Sequence, residues 1–167
     1  MQKYSPFIQL YLRLALSTGY LTLGLDRLGV WGRYGQKGIS WGDWQHFMVY
    51  AGDVMHFLPP ALVNIFAVMA TAAEISFGLL LLTGKWTRAA AIGSGMLTLL
   101  FGISMAISHG ITDPIGYSVF TVSAGSFLLA TVSRYSWGID DWFEKRNIQL
   151  KENKKHGTVR NILTTAP

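Results

Sequence analysis

Two ionisable side chains occupy the middle of long apolar segments, Arg13 in the first segment and Glu74 in the second. Charges in such segments usually face the interior of a helix bundle, where they find a partner. If the segments are neighbouring antiparallel helices that rise ~1.5 Å per residue, the two residues lie at similar depth. The spacing therefore predicts a buried Arg13–Glu74 ion pair. This pair either sets the register of the two helices or acts on a ligand or a proton.

Helical spacing extends the polar pattern along the first segment. At about 100° per residue, one stripe of that helix carries Arg13, Ser17, Tyr20, Gly24 and Arg27. Asp26 is adjacent to Arg27 and points in another direction. Because Glu74 shares its own helix face with small residues, the two faces can approach closely. The pattern predicts a helix contact with a polar interior.

A second polar group lies near the other ends of the apolar segments, and it comprises Asp26, Arg27, His109 and Tyr117. Arg27, His109 and Tyr117 could bound a shallow site for an anion or a quinone head group, held by hydrogen bonds and charge. Ordinary solvation of polar loop residues is the alternative. No catalytic residue can be assigned in either group.

Residue types and spacing exclude several classes of chemistry. His46 and His56 lack the i, i+3 or i, i+4 separation that puts two histidines on one helix face, so we expect no metal site. The chain has no cysteine, which excludes disulfides, thiol catalysis and iron–sulfur clusters attached to it. It also lacks a phosphate loop, a dinucleotide fingerprint, a nucleophile elbow and paired histidines for haem. We therefore expect no covalently bound cofactor.

The elements that must position these groups follow from composition. Half of the 167 residues are apolar and 14% are charged, whereas a soluble domain has about 25% charged residues. Four segments approach the ~20 apolar residues of a membrane span, at about residues 6–28, 61–82, 89–107 and 117–132. None alternates like a membrane β-strand. The sequence predicts an all-α, integral membrane four-helix bundle over residues 1–134, whose first span is retained and not cleaved as a signal peptide.

The connections between the segments differ in kind. The long first loop contains an interfacial segment, 44–50, that could form a short helix. A tight link at 84–88 makes the second and third segments a hairpin, and residues 135–167 form an amphipathic, basic tail. The third segment repeats small residues at intervals of four, which favours close packing over a ligand channel.

The distribution of basic residues predicts the topology. One side would carry ten of them, Lys3, Lys85, Arg88, Arg134, Lys145, Arg146, Lys151, Lys154, Lys155 and Arg160. The other side has only Arg33 and Lys37, with Arg27 at its border. This bias puts both termini in the cytoplasm. It also explains the net charge of +5 as contact with anionic lipid, and since no nucleic-acid motif accompanies it, we expect no nucleic-acid partner.

Several motifs resemble the DoxX/DoxD family of small four-helix membrane proteins from bacteria and archaea. The main match runs from Ala72 to Ala91, with Ala-Glu-x-x-x-Gly-Leu-Leu-Leu followed by Gly and Thr-Arg. Further matches are 12–15, 26–29, 110–114 and 117–120. The resemblance covers about residues 8 to 134, and the family pattern includes Arg13, Asp26, Arg27, Glu74, Gly78 and Arg88.

The resemblance implies a multi-pass protein of the bacterial or archaeal cytoplasmic membrane. One branch of the family is similar to the membrane subunit of a thiosulfate:quinone oxidoreductase, and others are linked to redox or oxidative-stress systems. The leading hypothesis is therefore a redox-associated membrane subunit that interacts with quinone. Any oxidoreductase activity would need the quinone and a partner subunit or a second copy. The alternative is a non-enzymatic membrane scaffold or anchor for a partner complex.

Overall fold

The structure is a computed structural model that describes residues 5–147 and 149–150. All regular secondary structure in these residues is helical. The helices are α1 (Ser5–Asp26), α2 (Trp44–Val54), α3 (Pro60–Thr83), α4 (Thr87–His109), α5 (Thr112–Gly116) and α6 (Val119–Ala130), followed by α7 at 139–147 and 149–150. The predicted all-α class is confirmed. Most of the predicted basic tail, residues 151–167, lies outside the described residues.

The four predicted spans correspond to helices of unequal character. Within the described residues, α3 and α4 are long and apolar enough to cross a membrane. α1 has 22 residues, but polar residues such as Gln9 and Ser17 lower its hydropathy. α6 has 12 residues, about 18 Å at 1.5 Å per residue, against the ~30 Å of a hydrocarbon core. The left-handed Ser118, with φ 57°, separates α6 from α5 and shortens it relative to the prediction.

α1, α3, α4 and α6 pack side by side, with α1 on α3, α3 on α4, α4 on α6 and α6 on α1. Neighbours run antiparallel, so the α3–α4 turn, the start of α1 and α7 lie at one end, which we call the hairpin end. α2 and α5 lie at the opposite, loop end. Gly78 permits the close approach of α3 to α1, because a Cβ there would lie 2.8 Å from Leu21 Cγ.

The polarity of these four helices is inverted relative to a water-soluble bundle. Their interior buries many polar residues, among them Ser17, Thr71, Ser94, Thr98, Ser123 and Ser126. Large apolar side chains cover the outside of α3 and α4, where Met69 and Leu100 are each 61% exposed. Such a surface is favourable in lipid, because exposing these side chains to water costs ~25 cal/mol per Å² of apolar area.

A chain of hydroxyl groups joins three of the helices in this interior. Tyr20 Oη of α1 lies 2.9 Å from both Thr98 Oγ1 of α4 and Ser126 Oγ of α6. Thr98 Oγ1 donates its own proton to the Ser94 carbonyl at 2.8 Å, so it accepts from Tyr20, which in turn accepts from Ser126. The direction of every hydrogen bond is thereby determined. The chain holds the rotation of α1, α4 and α6 relative to one another.

α2 lies against the loop end of these helices. It begins after Asp43, whose side chain accepts a hydrogen bond from the His46 amide, and it extends the predicted interfacial segment to Val54. That N–H bond, with the His46 ring, holds the pKa of Asp43 below its usual range. Phe47 and Ala51 are buried against Val63 and Ala67 of α3. This helix therefore covers the end of the bundle.

Candidate functional site

A buried ion pair between Arg27 and Glu74 lies at the loop end. Arg27 Nη2 is 2.9 Å from Glu74 Oε2 and 3.2 Å from Glu74 Oε1, and both side chains are at most 5% exposed. Arg27 Nη1 also donates to Thr71 Oγ1 at 2.9 Å. Thr71 and Glu74 are three residues apart on α3, so one helix face supplies both partners of the guanidinium.

Aromatic rings surround the guanidinium of Arg27. Its central carbon lies 4.1 Å from the centroid of the Phe47 ring, 5.1 Å from Trp41 and 5.8 Å from Phe101. A cation over an aromatic face is stabilised by the ring quadrupole, by about 2 kcal/mol where water is excluded. We call Trp41, Phe47 and Phe101 the aromatic cage. It closes the ion pair off from the loop end.

Asp26 supports the cage from the adjacent position. Its Oδ2 accepts the amide hydrogens of Ser40 at 3.0 Å and Trp41 at 2.9 Å, which ties the end of the long loop to the end of α1. Asp26 is 3% exposed. Its carboxylate thus orients the loop that carries Trp41 over Arg27.

The predicted Arg13–Glu74 ion pair is wrong, because Glu74 pairs with Arg27. Arg13 lies at the hairpin end, where Nη2 donates to the Trp137 carbonyl at 2.8 Å and Nη1 donates to the Ser136 carbonyl at 3.4 Å. Gln9 Nε2 donates to the same Ser136 carbonyl at 3.1 Å. Arg13 is 2% exposed and holds the segment that leads into α7.

The helix register explains this error. Ser17 donates to the Gly78 carbonyl and Gly24 abuts Ile75, which puts Arg13 level with Gly84. Glu74 lies ten residues before Gly84, so at 1.5 Å per residue it is about 15 Å from the level of Arg13. The sequence-based count assumed that the start of α1 is level with the end of α3. In the structure α1 begins beyond the α3–α4 turn, so Arg13 is level with that turn.

His109 and Tyr117, the remaining predicted residues, lie nearer the surface of the loop end. His109 Nδ1 is 3.5 Å from Asp113 Oδ2, and Tyr117 is 73% exposed. Within the described residues, no hydrogen bond or ion pair joins either residue to the buried Arg27, and the shallow site bounded by all three stays a prediction. Tyr50 of α2 lies between these groups: burial raises its pKa, Tyr117 and Asp113 add to the rise, and the Arg27 charge opposes it.

The buried pair retains hydrogen-bonding capacity. Of the six buried side-chain atoms without a hydrogen-bond partner among the described residues, three belong to Asp26, Arg27 and Glu74: Asp26 Oδ1, Arg27 Nε and Glu74 Oε2. Glu74 Oε2 is nevertheless in ionic contact with Arg27. Unmet buried donors and acceptors cost about 1–3 kcal/mol each. A polar group that reached this position could accept from Arg27 Nε, and a hydroxyl could donate to either carboxylate.

Several residues of this site were not predicted from the sequence. Thr71 could have been found from its i, i+3 spacing to Glu74. Trp41 and Phe47 lie six residues apart, in the long loop and in α2, and Phe101 lies in α4, so no single helix face connects the three. Two open surface depressions, of about 410 and 400 Å³, lie at the hairpin end, away from Arg27.

A search of curated proteins and a search of solved structures each find no match. The DoxX family model matches residues 8–109, which include Arg13, Asp26, Arg27, Glu74 and the whole α3–α4 hairpin. That match covers more than half of the sequence. The chain belongs to the DoxX family, whose members are membrane-associated proteins.

Proposed function

We propose that this protein is a redox-associated subunit of the cytoplasmic membrane that holds a quinone head group beside the Arg27–Glu74 pair. The observation that carries the proposal is that Arg27 Nε and Asp26 Oδ1 are buried without a hydrogen-bond partner in the described residues, while the Glu74 carboxylate has contacts there only with Arg27. A quinone carbonyl accepts hydrogen bonds and its reduced form also donates them, which suits one donor beside two acceptors. The family's membrane association supports the location.

Access to the pair requires α2 to move. Phe47 is 2% exposed, and its ring stacks closest to the guanidinium. α2 is joined to the bundle by a glycine-rich loop that contains five glycines of positive φ, Gly29, Gly32, Gly35, Gly38 and Gly42. Outward movement of α2 would uncover Arg27 from the loop end, where Tyr50 and Tyr117 border the opening.

A bound quinone would supply a two-electron, two-proton acceptor whose electrons come from a partner subunit. This chain's own part is to bind and orient it. Arg27 donates from Nε, and Thr71 keeps the guanidinium plane fixed through Nη1. The aromatic cage excludes water, so the hydrogen bond acts at a low local dielectric.

Quinone retention tests the proposal. The protein is purified from membranes in mild detergent, and its lipids are extracted and assayed for quinone by liquid chromatography. We expect wild type to retain quinone and Glu74→Gln, which keeps shape and removes charge, to retain at least tenfold less. Arg13→Gln is the matched control, because Arg13 is equally buried but lies at the other end of the bundle. Equal quinone in wild type and Glu74→Gln would overturn the site, and loss in Arg13→Gln alone would move it to the hairpin end.

We further propose four membrane spans, α1, α3, α4 and α6 with α5, with both termini in the cytoplasm. The antiparallel order of these helices and the basic residues of the hairpin end support this topology. Because the natural chain has no cysteine, single cysteines at Lys85 and Lys37 can be labelled in intact cells with a membrane-impermeant maleimide. We expect labelling at position 37 and protection at position 85 until the cells are opened. The reverse result would invert the topology.

The alternative of a scaffold for a partner complex has one supporting observation. The long loop exposes Val30, Trp31 and Tyr34, each more than half accessible, beyond the cage. A partner protein could bury these side chains. Affinity purification from detergent extract should then recover a stoichiometric partner that is lost in a Trp31→Ser, Tyr34→Ser variant. Recovery of this chain alone would leave the scaffold reading without support.

A further inference from the structure

The helix α7, at residues 139–147 and 149–150, carries apolar side chains along one face. At about 100° per residue, Ile139, Trp142, Phe143, Arg146 and Leu150 fall within an arc of about 100°. We call this face the α7 stripe. Ile139 is 38% exposed, and Trp142, Phe143 and Leu150 are each more than half exposed. The described part of the chain therefore leaves the α7 stripe largely uncovered.

The opposite face of α7 attaches the helix to the segment before it. Asp141 lies about 150° around the helix from the middle of the stripe and is 4% exposed. Its carboxylate contacts Arg134 at 3.1 Å and Lys145 at 2.7 Å. The Asp140 amide donates to the Gly84 carbonyl in the α3–α4 turn at 3.2 Å. Because these contacts fix the start of α7, the stripe points away from the segment that holds the helix.

The α7 stripe includes a positive charge. The central guanidinium carbon of Arg146 lies 5.3 Å from the centroid of the Trp142 ring. Within residues 5–147 and 149–150, Arg146 forms no ion pair, whereas Lys145 is paired with Asp141. From Trp142 to Arg160 the sequence has six lysines or arginines and two glutamates. An apolar stripe with a cation in it, in a positively charged segment, matches a surface that is both apolar and anionic.

Exposed aromatic side chains lie at the same end of the bundle. The Phe7 and Trp137 rings are 4.9 Å apart between centroids, and Phe7 is 63% exposed. Trp86 is 65% exposed in the α3–α4 turn, and Lys85 Nζ lies 5.1 Å from its centroid. Such rings concentrate where a membrane meets water. That turn joins the two helices that are long and apolar enough to span a membrane, so Trp86 lies at the level where a span ends.

We propose that α7 is an interfacial helix that binds the surface of an anionic bilayer. Trp142, Phe143 and Leu150 enter the head-group region, and Arg146 donates to lipid phosphates while its stem lies along the apolar stripe. A second copy is a poorer occupant, because it would bring two Arg146 side chains and two positively charged segments together. Binding in this position requires α3 and α4 to span the membrane and does not depend on quinone.

Site-directed fluorescence in the full-length protein tests the orientation of α7. Because the natural chain has no cysteine, Phe143→Cys can be labelled alone with a fluorescent dye. The protein is placed, one copy per disc, in lipid nanodiscs whose lipids carry a quencher near the head group. Glu144→Cys is the matched control, because it is the next residue but lies off the stripe. In discs with phosphatidylglycerol we expect about threefold more quenching at position 143 than at 144, and equal quenching would overturn the proposal.

The charge of the lipid separates binding to an anionic surface from apolar contact alone. Replacement of phosphatidylglycerol by phosphatidylcholine should lower the quenching at position 143 about threefold. Addition of 1 M sodium chloride should have a similar effect, because it shortens the Debye length to ~3 Å from ~10 Å at 0.1 M. Quenching that is independent of lipid charge and of salt would overturn the anionic partner.

A charge variant locates the contact with the phosphates. In the labelled Phe143→Cys protein, Arg146→Gln should lower the quenching in anionic discs about twofold. Arg33→Gln is the control, because it removes the same charge from the exposed loop at the other end of the bundle, and it should leave the quenching unchanged. An equal loss in both variants would indicate attraction by net charge alone and would overturn the role of the stripe. Unchanged unfolding temperatures confirm that the variants keep their fold.

Other occupants of the α7 stripe give different results. A dye at position 143 that is protected from aqueous iodide but not quenched by the lipid would show that another part of the chain or a partner protein covers the stripe. The same protection only in discs that hold two copies would assign the stripe to a contact between copies. Each of these results would overturn the proposal.

Discussion

Two buried arginines, Arg27 at the loop end and Arg13 at the hairpin end, are accommodated in different ways. Arg27 pairs with the Glu74 carboxylate under an aromatic cage. Arg13 forms no salt bridge among the described residues, although the charge of Asp140 acts on it, and it donates to the carbonyls of Ser136 and Trp137. The first arrangement joins two helices through side chains. The second attaches a chain segment to a helix through backbone.

The difference indicates which arginine can change partners. A backbone carbonyl is fixed by the fold around it, and Gly84 and Gly138 leave no space near Arg13, since a Cβ at Gly84 would be 2.7 Å from its Nη1. Buried atoms without a hydrogen-bond partner in the described residues occur at both ends, Arg27 Nε and Asp26 Oδ1 at the loop end and Arg13 Nε and Gln9 Oε1 at the hairpin end. The difference is that the helix covering Arg27 is attached by a glycine-rich loop. The loop end therefore has the capacity to bind, and Arg13 serves to position a segment.

The largest expected effect tests the pairing itself. Glu74→Leu leaves Arg27 buried without its counter-charge, which should destabilise the protein by about 3–5 kcal/mol. The double variant Arg27→Met, Glu74→Leu should recover most of that loss. Unfolding of detergent-solubilised protein in graded denaturant measures both.

Arg13 provides the contrast in the same experiment. Arg13→Met combined with Glu74→Leu should give additive losses, because the two residues do not touch. Recovery of stability in this pair, and not in the Arg27 pair, would restore the partner expected from residue counting.

Arg13→Met alone should cost about 1.5–3 kcal/mol, since hydrogen bonds from a charged donor are lost and the Trp137 carbonyl loses its donor, while the Ser136 carbonyl keeps the bond from Gln9. We expect the effect to concentrate at the hairpin end. Limited proteolysis should cut within residues 131–147 faster than in wild type, while the loop end keeps its protection. Arg13→Lys retains a donor and should be cut at an intermediate rate. Equal acceleration at both ends would mean that Arg13 supports the whole bundle.

The aromatic cage predicts a smaller effect at the loop end. Phe47→Leu keeps an apolar side chain and removes the ring nearest to the guanidinium, so we expect a loss of about 1–2 kcal/mol. In the Arg27→Met, Glu74→Leu double variant, Phe47→Leu should lower the free energy of unfolding clearly less, because no cation remains beside the ring. An identical cost in both backgrounds would show that the ring contributes only packing.

The smallest effect concerns pH at the hairpin end. The Lys145 ammonium, with the Trp137 amide and Arg134, holds the pKa of Asp141 below its usual range. The carboxylate therefore stabilises the fold fully above about pH 4 and loses this contribution as the pH falls through its lowered pKa. Lys145 and Arg134 are more than half exposed, so we expect less than about 1 kcal/mol. The unfolding temperatures of wild type and Asp141→Asn should converge as the pH falls from 6 to 3, and a constant difference would contradict this.

Sequence periodicity predicted the helices well and the partners poorly. The hairpin of α3 and α4 was predictable because Gly84, with φ 67°, ends one helix in the left-handed conformation that glycine favours. The stripe from Arg13 to Arg27 was also predictable, since helical spacing fixes which residues share a face. The acceptors of Arg13 were not predictable, because they are backbone carbonyls, which every residue has. The cage was not either, since the sequence carries no signal of how the long loop folds over Arg27.

In these four helices, the interior polar residues specify the fold, and the outer apolar residues make it compatible with lipid. The hydroxyl chain through Tyr20, Thr98 and Ser126 and the Arg27–Glu74 pair are internal and contact no surrounding medium. The exposed apolar residues of α3 and α4, such as Met69 and Leu100, match lipid and form no such directional contacts. We therefore expect exchange of that outer layer for glutamate and lysine to give a water-soluble protein with the same interior, in which the Arg27–Glu74 pair could be studied without detergent.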